Sequence, residues 1–176
     1  MAAASDPVVI LSAARTPLGR FMGELSPFSA HKLGSHVIGA ALERAKLSPE
    51  RIDEVFMGNV LPAGQGQAPA RQAARGAKLP DATGATTINK VCGSGMKATM
   101  LAHDIINAGS ASVVLSGGME SMSNAPPSPP NSKDTSKKLR GSPVCGSLSV
   151  FTPAAKSSAT RPPPRPTWRV ASTCGT

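Results

Sequence analysis

Tyrosine is absent from this 176-residue chain, and aromatic residues make up only 3% of it. Any core is therefore aliphatic, built from Ala, Val, Leu, Ile and Met. Cysteine is also scarce. Cys92, Cys145 and Cys174 are too few and too scattered for a disulfide framework or a zinc site. No apolar run approaches the ~18 residues that a membrane span needs. The opening Met1-Ala2-Ala3-Ala4-Ser5-Asp6-Pro7 lacks a basic stretch and an Arg-rich amphipathic pattern. A secretory or mitochondrial leader is therefore not expected, and the chain reads as cytoplasmic and reduced. Charged residues are only 16% of the chain.

The net charge of +9 resembles a nucleic-acid signal until its distribution is read. Residues 1–125 hold 11 Lys and Arg against 9 Asp and Glu. Residues 126–176 hold 8 Lys and Arg against a single Asp, together with 10 of the 17 prolines. The basicity belongs to a tail, so nucleic acid is not the expected partner. The sequence divides into a folded part, residues 1–125, and a Pro/Ser-rich basic tail, residues 126–176. The runs Pro126-Pro127-Ser128-Pro129-Pro130 and Pro162-Pro163-Pro164 cannot hold a helix or a central strand. With so few apolar residues, the tail is expected to be disordered or extended.

The first part alternates strand and helix signals. Residues 8–13 read as a short buried strand, ended by Pro17. Ser29 can cap a helix to Ala45, with Leu33, Val37, Ile38, Ala41, Leu42 and Ala45 on one face. Ser48-Pro49 marks a turn before a strand over residues 52–60. Residues 69–77 are Ala-rich and helix-forming. Residues 83–91 are β-branched and strand-forming. Residues 94–108 form the clearest helix, with Met96, Met100, Leu101 and Ile105 at helical spacing and Gly109 as its cap. Residues 112–116 make a last strand, opening into Gly117-Gly118. The β-α-β-α-β-α-β order predicts an α/β fold: a mostly parallel sheet with helices on both faces.

Cys92 is the most informative residue. It lies between the strand ending at Val91 and the helix beginning near Ser94. In a parallel sheet that is the carboxyl end of a strand, where open α/β folds place ligands. A helix N-terminus offers unpaired N–H groups and a positive dipole end, which favour a thiolate. Gly93 and Gly95 would admit a substrate close to the backbone, and the Cys92 N–H could face an oxyanion. The plainer alternative is a buried, inert thiol.

The run Asn89-Lys90-Val91-Cys92-Gly93-Ser94-Gly95-Met96-Lys97-Ala98 resembles the nucleophilic cysteine motif of the thiolase family. So do four further stretches in family order: Ser12-Ala13-Ala14-Arg15-Thr16-Pro17, Met57-Gly58-Asn59-Val60, Pro69-Ala70-Arg71-Gln72-Ala73 and Gly117-Gly118-Met119-Glu120-Ser121-Met122-Ser123. The likeness covers about residues 7–125 and is greatest to the cytosolic acetyl-CoA acetyltransferases. It implies an N-terminal part of a thiolase-like fold with sheet order 3-2-1-4. A fifth, antiparallel strand should normally pair with the fourth. With the tail disordered, residues 112–116 would lie at an open edge.

The resemblance also implies a chemistry. The Cys92 thiolate would take an acyl group from a coenzyme A thioester, a substrate rather than a tightly bound cofactor, and a second acyl-CoA would condense with it. Homo-oligomers, as in the family, would follow. The family's other catalytic groups are an Asn in Asn-Glu-Ala-Phe, a His in Gly-His-Pro and a basic Cys in Cys-x-Gly-Gly-Gly. None of these motifs occurs here. Three readings follow: a thiolase-type acyltransferase truncated and inactive alone, a non-catalytic product that pairs with full-length subunits, and an interaction module acting through the basic tail.

Other signals are weaker. His31, His36 and His103 lie on helices and match no catalytic position. Gly64-Gln65-Gly66 lacks the third glycine of a dinucleotide fingerprint. Gly117-Gly118 reads as a tight turn. Arg15 and Arg71 read as structural ion-pair partners rather than phosphate binders. The Arg165 to Arg169 cluster with Trp168 reads as a solvated segment.

Overall fold

A computed structural model describes residues 7–126 and the backbone of residues 152–156. The elements are β1 (Val8–Ile10), α1 (Ala30–Ala45), β2 (Glu54–Gly58), α2 (Pro69–Gly76), β3 (Gly84–Ile88), α3 (Ser94–Asn107), β4 (Val113–Gly118) and β5 (Thr152–Lys156). The first seven follow the β-α-β-α-β-α-β order read from the sequence. The sheet order is β1-β5-β4-β2-β3. β2 pairs in parallel with both β3 and β4. β5 pairs antiparallel with β4 and with β1.

Alternation along β2 sorts the two faces of the sheet. Val55 and Met57 join the larger core with Val37, Ile38, Ala41 and Leu42 of α1 and Ala70, Ala73 and Ala74 of α2. Phe56 packs on the opposite face, with Ala102 and Ile106 of α3, Val114 and Val8. α1 and α2 therefore cover one face and α3 the other, as the α/β reading requires. α1 buries the stripe read from its 3.6-residue period. Ser35 fastens α1 to α2, its hydroxyl lying 3.0 Å from the Ala73 carbonyl and 2.8 Å from that of His31. The N-terminal segment is tied to α1 from both directions. Ser12 Oγ donates to the Ala41 carbonyl at 2.7 Å, and Arg44 Nη1 to that of Ala13 at 2.6 Å.

Two expectations are corrected. The sheet order is not 3-2-1-4, because β1 does not insert between β2 and β4; it lies at the far edge, joined through β5. Residues 112–116 are consequently not at an open edge. The outer backbone groups of β4, which would otherwise stand unpaired, are taken up by β5, with Val113 opposite Ala155 and Ser116 opposite Thr152. Thr152–Lys156 is thus a regular strand within the segment expected to be disordered or extended. Pro153 is tolerated there because β1 pairs only with residues 154–156, leaving one side of the chain at Pro153 without a ladder partner. The proline runs and the Arg165 to Arg169 cluster lie outside the described residues.

α3 forms over Ser94–Asn107 as its spacing predicts, and which of its faces is buried is a separate finding. Its buried residues are Ser94, Ala98, Ala102 and Ile106, whereas Met96 is 73% and Met100 52% exposed. Hydrophobicity favoured the methionines; distance decides for the alanines. A Cβ built on Gly58 would sit 2.6 Å from the Gly95 amide nitrogen and 2.7 Å from Ser94 Cβ. One built on Gly118 would sit 3.3 Å from Gly95 Cα. The helix start lies against the strand ends with no room for a side chain, and only small residues continue that seam. Among the described residues no helix is long and apolar enough to cross a membrane.

This packing yields a paired prediction. Gly58→Ala forces backbone against backbone and should lower the unfolding free energy by about 1–3 kcal/mol. Gly39→Ala, on a helical glycine with nothing within 4 Å of the added carbon, should raise it by about 0.5–1 kcal/mol. Urea unfolding followed by far-UV circular dichroism checks both. Equal effects of the two would contradict the seam.

Candidate functional site

β2, β3 and β4 end in step, with Gly58 paired to Ile88 on one side and to Gly118 on the other. The chain leaves these carboxyl ends through Asn59, Asn89 and Met119. The Asn59 N–H donates to Ile88 O at 3.0 Å and the Met119 N–H to Gly58 O at 2.9 Å, extending the ladder past the strands. Asn89 Nδ2 returns to Val60 O at 3.0 Å.

Glu120 closes this end of the sheet. Its carboxylate accepts from Val60 N at 2.7 Å, from Asn59 Nδ2 at 3.2 Å and from Leu61 N at 3.4 Å. Asn59 is buried, and its Nδ2 also donates to Met119 O at 3.2 Å. These acceptors fix the amide orientation, because a flipped Oδ1 would face the same oxygens. Asn59 Oδ1 is left buried with no partner among the described residues. Burial pushes the Glu120 carboxyl above its ordinary value, and the N–H groups of Val60, Leu61 and Ser121 and the Asn59 amide pull it back. Just beyond, Ser121 Oγ and Asn124 Nδ2 each donate to Phe28 O at 2.9 Å, and Met22 N donates to Ser123 Oγ at 2.8 Å. The Glu120-Ser121-Met122-Ser123 run thus binds the loop before α1 to the sheet.

Cys92 stands in the connection from β3 to α3, as its position in the sequence predicts, and it is exposed rather than buried. The Gly93 N–H donates to Lys90 O at 3.0 Å, so residues 90–93 form a turn with Val91 and Cys92 at its centre. Val91 has φ of +47°, a region costly for a β-branched residue. No acceptor among the described residues takes the Cys92 N–H. The turn therefore presents a thiol and an unused backbone donor side by side.

The remaining candidates are placed elsewhere. His36 and His103 are exposed on α1 and α3. His31 is half-buried, and burial together with Lys32 lowers its pKa. α1 and α3 lie on opposite faces of the sheet. Arg71 donates to Thr83 O and Asp81 O at 2.6 Å and pairs with the Asp81 carboxylate at 3.5 Å, a structural role as expected. Gly64 and Gly66 have φ of +76° and +77° in the loop before α2. No group of three His, Cys, Asp or Glu side chains suited to a metal occurs among the described residues. Cys145 and Cys174 lie outside the described residues. Asn59, Glu120 and Ser94 went unweighted in the sequence. The signal for Glu120 was its place in the Gly117–Ser123 motif, two residues beyond the Gly-Gly at a strand end.

Glu120 generates a pH prediction. Its folded-state pKa is raised from 4.5, so protonation favours the fold. That contribution is full below the unfolded-chain value and is lost as pH rises through the folded one. Glu120→Gln sets an amide NH2 against backbone donors and should cost about 1–3 kcal/mol at low pH. The gap to wild type should then narrow as pH rises from 4.5 toward neutrality. Urea midpoints at a series of pH values check this; a gap that widens would mean that the N–H donors outweigh burial.

Comparison with known proteins places this geometry. Residues 8–150 match the thiolase N-terminal domain family, a span that runs past the compositional break near Pro126. The chain is 60% identical over 121 residues to acetyl-CoA acetyltransferase B, mitochondrial, of Xenopus laevis, covering 69% of this chain and 29% of that protein. It is 53% identical over 131 residues to the cytosolic acetyl-CoA acetyltransferase ERG10 of Gibberella zeae, covering 74% and 33%. Among solved structures it matches the Acat5 thiolase of Ascaris suum in complex with coenzyme A, with TM-score 0.68 and 43% identity, over 72% of this chain and 33% of that one. The chain spans about a third of the length of these relatives. With the family match over most of its length and Cys92 at the strand-to-helix turn, the chain belongs to the thiolase family.

Proposed function

We propose that this chain supplies the acyl-accepting part of an acetyl-CoA acetyltransferase, with Cys92 as the nucleophile, and that the 176 residues alone do not turn over. The observation that carries the proposal is the Cys92 turn: an exposed thiol beside an unused N–H, at the start of a helix and the carboxyl end of a parallel sheet. The Cys92 sulfur attacks the thioester carbonyl of an acyl-CoA. A carbon–sulfur bond forms to Cys92, the bond to the coenzyme A sulfur breaks, and the Cys92 proton leaves with the released thiol. The Cys92 N–H donates to the oxygen that gains charge in between. Acyl-CoA recognition is supported by the coenzyme A complex of the Ascaris relative.

Condensation demands more than capture. By family resemblance it needs a His to activate the nucleophile, an Asn, and a basic Cys to take the α-proton. The motifs that carry them are not in this sequence. Groups that act as a unit are not replaced one at a time, and losing them costs orders of magnitude in rate. The described histidines do not substitute: His36 and His103 are exposed on opposite faces of the sheet. Pairing with longer subunits of the same family would supply the rest, and the homo-oligomers expected from the family give such an assembly a route.

The expected outcome is acylation without turnover. Incubation of the full chain with an activated thioester such as S-phenyl thioacetate should place an acetyl group on Cys92 ahead of Cys145 and Cys174, read by peptide mass spectrometry. Acetoacetyl-CoA thiolysis, followed by loss of enolate absorbance, should not exceed that of Cys92→Ser. Even labelling of the three cysteines would refute Cys92 as the nucleophile. Thiolysis clearly above the Cys92→Ser control would refute the inactivity of the chain alone.

A further inference from the structure

Ser94 is the first residue of α3, where a serine often serves the helix as a cap. Here Gly93 holds the cap position and no side-chain capping bond forms. The Ser94 hydroxyl turns back instead. It accepts from Lys90 N at 2.8 Å and donates to Val91 O at 2.6 Å. One oxygen thus spans the turn, holding the residue before Val91 and Val91 itself. The Ser94 N–H adds a bond to the same Val91 carbonyl at 3.1 Å.

Val91 needs that hold. At φ +47° it lies in a left-handed region that β-branched residues avoid. It is 65% exposed, so packing does not keep it there. Its remaining local tie is the Asn89 side chain, Oδ1 accepting from Val91 N at 3.0 Å. Ser94 itself is buried, in the seam against Gly58. The strained turn is therefore fastened through Ser94 to the end of β2.

We infer that Ser94 is a positioning residue for Cys92: its hydroxyl holds the Val91–Cys92 turn in its strained form and so fixes the thiol beside its own N–H. The inference rests on the acyl-accepting role proposed for Cys92. It adds that the strain at Val91 and the hydroxyl at Ser94 are two halves of one device.

A double-mutant cycle in the full chain tests it, because glycine adopts positive φ without strain. Wild type, Ser94→Ala, Val91→Gly and the double variant are compared by the rate of Cys92 acetylation with S-phenyl thioacetate. In that step the acyl carbon transfers to the Cys92 sulfur, and thiophenol leaves with the displaced electron pair and the thiol proton. Ser94→Ala should slow acetylation about tenfold, the scale of a misplaced reacting group. Val91→Gly should change it little, and the double variant should recover most of the loss. Rates are taken without denaturant, and urea midpoints give the folded fraction. A slowing that vanishes once the folded fraction is allowed for, or a double variant as slow as Ser94→Ala, would overturn the positioning role.

Two further readouts separate this from the acyl-accepting proposal. Hydrogen exchange at the Lys90 amide should speed up in Ser94→Ala, because its acceptor is gone. Iodoacetamide alkylation of Cys92 reports the thiol without any acyl chemistry. If wild-type Cys92 is not acetylated preferentially, the nucleophile proposal fails. The Lys90 exchange and the same cycle in alkylation rates then decide the positioning role alone: non-additive rates uphold it, additive ones refute it.

Discussion

Gly58 meets the Ser94-Gly95 backbone where no side chain fits, and the fold around the site hangs on that contact. Because two strand ends and a helix start touch through their backbones, α3 lies flat on the sheet from its first turn. Ala98 and Ala102 continue the line, and Ile106 is the first large side chain buried along it. A carbon added at Gly58 would push on Ser94 and Gly95 and so on the start of α3, next to the Cys92 turn. Close approach also leaves little volume to fill on that face, which suits a chain poor in aromatics.

A second constraint works across the strands. Parallel strands end with their last N–H and C=O groups facing outward, and buried groups of that kind must be paired. Glu120 meets the need on β2's side by gathering the N–H groups of Val60 and Leu61 and the Asn59 amide. The cost is a carboxyl drawn out of water. It sits where a chain leaving β4 must cross back over β2, so the same residue fastens the exit of one strand to the exit of another.

Local order was plain in the sequence because it depends on local signals. The buried stripe of α1 repeats every three to four residues, and the junction at Cys92 is marked by glycines and a change of period. What lay hidden depended on distance between remote segments. Nothing in residues 94–108 alone says that alanine outranks methionine; that follows from glycines at 58 and 118. β5 was invisible for a like reason. Thr152–Lys156 contains a proline and two alanines, a weak strand former, and it becomes a strand because β4 offers it an unpaired edge. The edge expected to be open at residues 112–116 is closed by that same segment. The misplacement of β1 follows too, as β1 joins the sheet only through β5.

The β1–β5 pairing sets the order in which this sheet can be completed. Val8 lies opposite Lys156, so nearly the whole chain separates the two members of one ladder. Residues 8–10 are synthesised long before residues 152–156, the strand they pair with. The β2-β3-β4 block and its helices can assemble meanwhile from contacts close in sequence. Only when residues 152–156 emerge does β4 gain its second partner and β1 its first. Closing so long a loop is slow compared with pairing nearby strands. Of the five strands, the first in sequence is thus the last to be paired.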